Sequence, residues 1–142
     1  MKLVAFSPPN LYNIFIGRNG VKMSKCNQHH LRAIIYDKRG RILSIGENSY
    51  LKTHRVMYSL GKSVGKPSAI FLHAEVDAIV KCREIHNAHR IVVMRFTPSG
   101  YRLAKPCDAC MKGITTLTPI KIIEWTTNDL DDYDTDVIKV KR

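Results

Sequence analysis

After its first 30 residues, the chain alternates between runs of apolar residues with strand spacing and runs with helix spacing. A strand-like run covers residues 31–36, a turn ending at Gly40 follows, and apolar residues alternate again over residues 41–46. Two such runs joined by a short turn that contains glycine predict a β-hairpin. Further strand-like runs lie at residues 90–96, 121–125 and 137–140. The pattern therefore predicts a sheet of five strands.

Two segments between these strands have the apolar spacing of helices. Val76, Ile79 and Val80 stand at i, i+3 and i+4, which predicts a helix over residues 74–83. Pro106 suits the first position of a second helix, because its missing N–H would be unpaired there anyway. This helix would carry along one side Cys107, Cys110, Met111, Ile114 and Leu117. The order β-β-α-β-α-β with a further final strand predicts an α/β fold in which helices cover a mixed sheet.

The remaining segments are harder to assign. Residues 47–68 are polar and rich in lysine and glycine; we expect a loop marked by Gly61, Gly65 and Pro67 that contains one short helix. Residues 1–30 are interrupted by prolines, and we treat them as an N-terminal extension with a short helix near residues 21–30.

Composition limits the class of protein. A chain of 142 residues with 44% hydrophobic residues fits one domain over residues 1–142. It contains no stretch of about 20 apolar residues and no apolar leader, so we expect a cytoplasmic protein without a membrane partner. The net charge of +11 indicates an anionic partner such as a nucleotide phosphate, a nucleic acid or an acidic protein. A basic surface that only keeps the protein in solution explains the charge equally well.

Two short motifs carry the candidate chemistry: His73-Ala74-Glu75, and Pro106 to Cys110 with the spacing P-C-x-x-C. His73, Cys107 and Cys110 supply three zinc ligands; catalytic zinc sites use three and leave the fourth position open. Cysteines three positions apart share one face of a helix, and a helix N-terminus favours the thiolate form that zinc requires.

The two motifs leave alternatives to a catalytic zinc site open. A structural zinc would need a fourth ligand from the other cysteines and histidines, namely Cys26, His29, His30, His54 or Cys82. Cys26 with His29 and His30 also has the spacing of a second metal site. Cys82 is otherwise expected to be a small apolar residue on the inner face of its helix, and His86 and His89 to be loop residues.

The H-x-E motif followed by P-C-x-x-C, over roughly residues 31–125, resembles the cytidine and deoxycytidylate deaminase superfamily, most specifically its short phage and bacterial dCMP-deaminase-like proteins. The resemblance implies a three-layer α/β/α fold with a five-stranded sheet, one Zn²⁺ per subunit, a homo-oligomer and hydrolytic release of ammonia. It implies that His73, Cys107 and Cys110 bind the zinc and that Glu75 carries protons. It further implies that Asn48 contacts the sugar or base and that the Ala74 backbone meets the pyrimidine edge.

Two departures leave the substrate open. The connection between the last two strands is too short for a helical crossover and predicts an antiparallel pair, as in free cytidine deaminases. The connection between Asn48 and His73 is long, and its Lys52, His54 and Arg55, with Lys62 and Lys66, could meet a 5′-phosphate. We expect conversion of CMP or dCMP to the uracil form. The alternatives are a nucleoside substrate, a base in DNA or RNA, and a non-catalytic zinc-stabilised binding protein of the same fold.

Overall fold

The computed structural model describes residues 30–68, 70–128 and 134–141. The predicted helix near residues 21–30 therefore lies almost wholly outside the described residues, and a single domain over the whole chain stays a prediction. The strands are β1 (Leu31–Asp37), β2 (Ile42–Glu47), β3 (Ala88–Thr97), β4 (Gly100–Arg102), β5 (Ile122–Thr126) and β6 (Thr135–Lys139). The helices are α1 (Arg55–Ser63), α2 (Ala74–Lys81) and α3 (Asp108–Leu117), with a short 3₁₀ turn at Ile85–Asn87.

The strands form one mixed sheet in the order β2-β1-β3-β5-β6, with β4 paired to the end of β3. Strand β3 runs antiparallel to β1 and parallel to β5. Strand β6 returns antiparallel to β5, with Ile123 opposite Ile138. The predicted mixed α/β class and the antiparallel last pair are confirmed. The short connection between β5 and β6 predicted their antiparallel pairing, because a parallel pair needs a crossover of a dozen or more residues.

The sheet has six strands, so the predicted count of five is wrong. The additional strand, β4, is three residues long and pairs Thr97 with Gly100 across a two-residue turn. The turn at Pro98 and Ser99 was expected, but a three-residue strand is too short to show apolar alternation. The five predicted strands form the continuous path of the sheet.

Both faces of the central strands β1 and β3 are buried, as a three-layer fold requires. On one face, Ala33, Ile35, Ile91 and Val93 join a core with Ala78 and Ile79 of α2 and Ile114 of α3. On the other face Ile34, Val92 and Met94 are fully buried. Each such aliphatic side chain contributes roughly 1.5–3 kcal/mol by leaving water. Helix α1 packs on α3 through Met57 and Leu60. No helix of the described residues is long and apolar enough to cross a membrane.

Three helix boundaries differ from the prediction. Helix α2 ends at Lys81 rather than at residue 83, because Cys82 has extended backbone angles. Gly61 was expected in a loop but lies buried inside α1, and the left-handed residue after the helix is Gly65 with φ 78°. Helix α3 begins at Asp108, two residues after Pro106, because Cys107 has extended backbone angles and caps the helix. The Cys107 carbonyl accepts the first helical hydrogen bond, from the N–H of Met111 at 2.8 Å. Both motifs therefore stand at helix starts.

Candidate active site

The starts of α2 and α3 bring one imidazole and two thiols together. His73 Nδ1 lies 3.3 Å from Cys110 Sγ and 3.5 Å from Cys107 Sγ. The three donor atoms all lie within 4.8 Å of one another, and no other such group of histidine, cysteine or acidic residues occurs in the described ranges. His73 and Cys107 immediately precede their helices, and Cys110 lies in the first turn of α3. The three predicted ligands are therefore neighbours.

The donor set fits a tetrahedral zinc ion. With Zn–S near 2.3 Å and Zn–N near 2.0–2.1 Å, tetrahedral angles put nitrogen and sulfur roughly 3.6 Å apart. The observed separations of 3.3 and 3.5 Å agree with this value. His30, His54 and Cys82 do not belong to the group, whereas Cys26 and His29 lie outside the described residues. Three protein ligands leave room for a fourth from solvent or substrate.

The cluster favours a thiolate before any ion binds. The pKa of Cys107 falls to about 3, because its sulfur accepts a hydrogen bond from the Cys110 thiol and another from His73. The hydrogen bond to Cys107 raises the pKa of His73. Because Cys110 donates to Cys107 and is buried, its own pKa is raised. Zinc binding would then displace the proton of Cys110, since metal ligands must be deprotonated.

Glu75 lies beside the donor cluster but is not one of the donors. Its side chain is 4% exposed, and burial raises the pKa of its carboxyl group. The neighbouring Cys110 side chain and His73 act in the opposite direction and lower this pKa. A buried carboxyl group with a raised pKa suits an exchange of protons with a neighbouring group.

These residues open into a cavity of about 430 Å³, which is within the size range of small-molecule sites. His73, Ala74, Glu75 and Cys107 form part of its lining. Tyr50 and Phe71 also line the cavity and are 39% and 44% exposed. The deep part of the cavity therefore contains the candidate metal ligands and Glu75, and the aromatic side chains lie nearer the solvent.

Asn48 forms part of the cavity wall, as a contact with sugar or base would require. Its Oδ1 accepts a hydrogen bond from the Leu31 N–H at 2.9 Å, which fixes the orientation of the amide group. The preceding strand end is held on α2, because the Glu47 N–H donates to Asp77 Oδ2 at 2.9 Å. Asn48 is thereby held at a defined position relative to α2.

The sequence analysis missed Gly46 and Asp77, the residues that hold β2 on α2. A Cβ on Gly46 would overlap the Ala74 carbonyl oxygen and the Ala78 nitrogen, so only glycine permits this approach. Asp77 also forms an ion pair with Lys81 at 2.7 Å. A glycine inside a strand is a known sign of close backbone approach, and it could have identified Gly46.

The cations expected to meet a phosphate do not form part of the cavity lining. Lys52, His54 and Arg55 are not among the described residues that line the cavity, and their contact with a substrate stays a prediction. His54 Nδ1 instead accepts the Val56 N–H at 3.1 Å and caps α1. The lysine that does line the cavity is Lys105, which the sequence analysis did not select. Its position just before the P-C-x-x-C motif was the available signal.

Comparisons with known proteins complete the description. No protein-family model matches the chain, and a search of curated proteins gives no significant match. Among solved structures, the chain is similar to a cytidine deaminase from Burkholderia pseudomallei, with 18% sequence identity and a TM-score of 0.49. The similarity covers 83% of this chain and 80% of that protein.

Proposed function

We propose that this protein is a zinc-dependent hydrolytic deaminase that converts a cytosine-containing nucleotide or nucleoside to its uracil form and releases ammonia. One observation carries the proposal: three ligands, His73, Cys107 and Cys110, adjoin a buried carboxylate, Glu75, in the lining of a cavity. A purely structural zinc site would need neither the cavity nor the carboxylate. The H-x-E and P-C-x-x-C motifs supply the same residues in the order that nucleobase deaminases use.

Zinc held by His73, Cys107 and Cys110 would supply a water molecule of lowered pKa as the nucleophile. Glu75 would accept one proton from a water molecule as the water oxygen bonds to C4 of cytosine, and it would deliver this proton to ring N3. Glu75 then takes the remaining hydroxyl proton and delivers it to the exocyclic amine. The C4–N bond breaks, ammonia leaves and the C4 carbonyl of uracil remains. The two protons of one water molecule thus balance the reaction.

The side chains around Glu75 have complementary roles. The hydrogen bond between Leu31 and Asn48 holds an amide at the wall, where it can orient the sugar or base. Ala74 is buried in the cavity lining at the start of α2, where we expect its backbone to meet the pyrimidine edge. We expect CMP or dCMP as the substrate and a homo-oligomer as the active form.

The test is a substrate panel with zinc-loaded protein. CMP, dCMP, cytidine and deoxycytidine are each incubated, and ammonia release and the ultraviolet change from cytosine to uracil are followed. At least one substrate should be turned over. Absence of turnover on all four, with zinc measured in the protein, would exclude a mononucleotide or nucleoside deaminase and leave a polynucleotide substrate or the non-catalytic zinc-stabilised alternative.

A second candidate is deamination of a base in DNA or RNA. The net charge of +11 and the exposed rings of Tyr50 and Phe71 beside the cavity favour it. Affinity for a cytosine-containing oligonucleotide should then fall steeply with added salt, because phosphate contacts release counterions. Lack of oligonucleotide binding at low salt would exclude this candidate.

A further inference from the structure

Lys105 differs from the other residues that line the cavity. Among the described lining residues it is the one lysine or arginine, and Glu75 is the one carboxylate. Glu75 is buried beside Cys110, whereas the Lys105 side chain is exposed. The positive charge of Lys105 therefore lies toward solvent, and Glu75 and Cys110 lie deeper in the protein.

Lys105 is held close to the ligand cluster by the chain itself. It stands two residues before Cys107, and two extended residues span at most roughly 7 Å. The chain around it is anchored, because the N–H of the preceding Ala104 donates to the Thr126 carbonyl at 2.9 Å. No described carboxylate forms an ion pair with Lys105, and its Nζ lies 5.6 Å from the ring centroid of Trp125.

We propose that Lys105 determines specificity by binding the 5′-phosphate of a pyrimidine nucleoside monophosphate whose base occupies the Glu75 end of the cavity. The inference rests on the proposed deaminase function and adds a residue that distinguishes nucleotide from nucleoside. A base that reaches Glu75 leaves its sugar and phosphate toward the exposed side, where Lys105 lies. The ammonium group of Lys105 would bind phosphate there as a point charge. It does not need the fixed two-donor geometry with which an arginine guanidinium binds phosphate.

Steady-state kinetics separate this role from a structural one. Lys105→Ala should raise KM for CMP by about 10- to 100-fold, which corresponds to the loss of a charged hydrogen bond. The KM for cytidine and the kcat for both substrates should change by less than about twofold, because a phosphate contact made equally in ground and transition states affects KM alone. Lys105→Arg should restore most of the CMP affinity. Lys121→Ala is the matched control, because Lys121 is an exposed lysine that precedes β5, at the end of the strand away from Thr126. This variant should behave as wild type.

Binding can be followed without turnover in the Glu75→Gln protein, since Trp125 is the single tryptophan of the chain. CMP should change the fluorescence of Trp125 in a saturable way, and inorganic phosphate should compete with CMP. Lys105→Ala should weaken the affinity for CMP by a factor similar to the change in KM. If CMP and cytidine are deaminated with KM values that Lys105→Ala leaves unchanged, the Lys105 proposal fails while the deaminase function stands. If CMP binds through Lys105 but no substrate is deaminated by zinc-loaded protein, the deaminase function fails while the phosphate site stands.

Discussion

His73 and Cys110 lie 37 positions apart in the sequence, yet Nδ1 of one is 3.3 Å from Sγ of the other. Two helix starts bring them together, and Cys107 completes a donor set of tetrahedral size. We expect the purified protein to bind one zinc ion per chain at these residues.

Substitutions of the ligands test this expectation. Cys110→Ser or His73→Ala should weaken zinc binding by more than roughly 100-fold, since loss of an outer hydrogen-bond partner alone costs up to that amount. Competition with a chromogenic chelator measures the affinity. Cys82→Ala is the control, because Cys82 is buried outside the donor group. Unchanged zinc affinity in Cys110→Ser would show that the ion binds elsewhere.

The different pKa values of Cys107 and Cys82 predict selective alkylation of the metal-free protein. The pKa of Cys107 is lowered to about 3, so its thiolate persists as the pH falls from 9 to well below 6. Burial raises the pKa of Cys82, which stays a thiol over the same range. At pH 6, iodoacetamide should label Cys107 at least about tenfold faster than Cys82, as judged by peptide mass spectrometry. Zinc should suppress the labelling. A Cys107 that reacts only above pH 8 would contradict the predicted thiolate.

The close approach of β2 to α2 predicts a costly substitution at Gly46. Gly46→Ala should lower the free energy of unfolding by about 1–3 kcal/mol or more, because the new methyl group meets backbone atoms that cannot move aside. Gly113→Ala is the matched comparison, since its Cβ would meet the end of the Leu60 side chain at 2.9 Å. Leu60 can rotate, and alanine favours a helix, so that change should be nearly neutral. Urea unfolding measures both, and equal costs would argue against the rigid contact.

Local features of the sequence predicted much of the fold and the ligand cluster. Cys107 and Cys110 are three residues apart at a helix start, a spacing that places both on one side wherever the helix packs. The antiparallel pair β5 and β6 followed from connection length alone. The class of fold could therefore be predicted from the chain without its long-range contacts.

The cavity lining depended on contacts that the sequence does not show. His54 caps α1, and residues near Lys52 pair back toward the segment before His73 through the bridge between Thr53 and Phe71. The segment before Pro106 meanwhile returns past β5, which brings Lys105 into the lining. Which cation meets the cavity is decided by this chain path rather than by local charge.

The most direct test of the central claim compares wild type with Glu75→Gln, after zinc loading, on the best substrate among CMP, dCMP, cytidine and deoxycytidine. Ammonia release should fall by roughly 10²- to 10⁴-fold, as expected for loss of a general acid–base group. Zinc content should not change, because Glu75 is not a donor of the cluster. Glu84→Gln, an exposed residue beyond α2, should retain wild-type turnover. Equal ammonia release by Glu75→Gln and wild type would contradict the account.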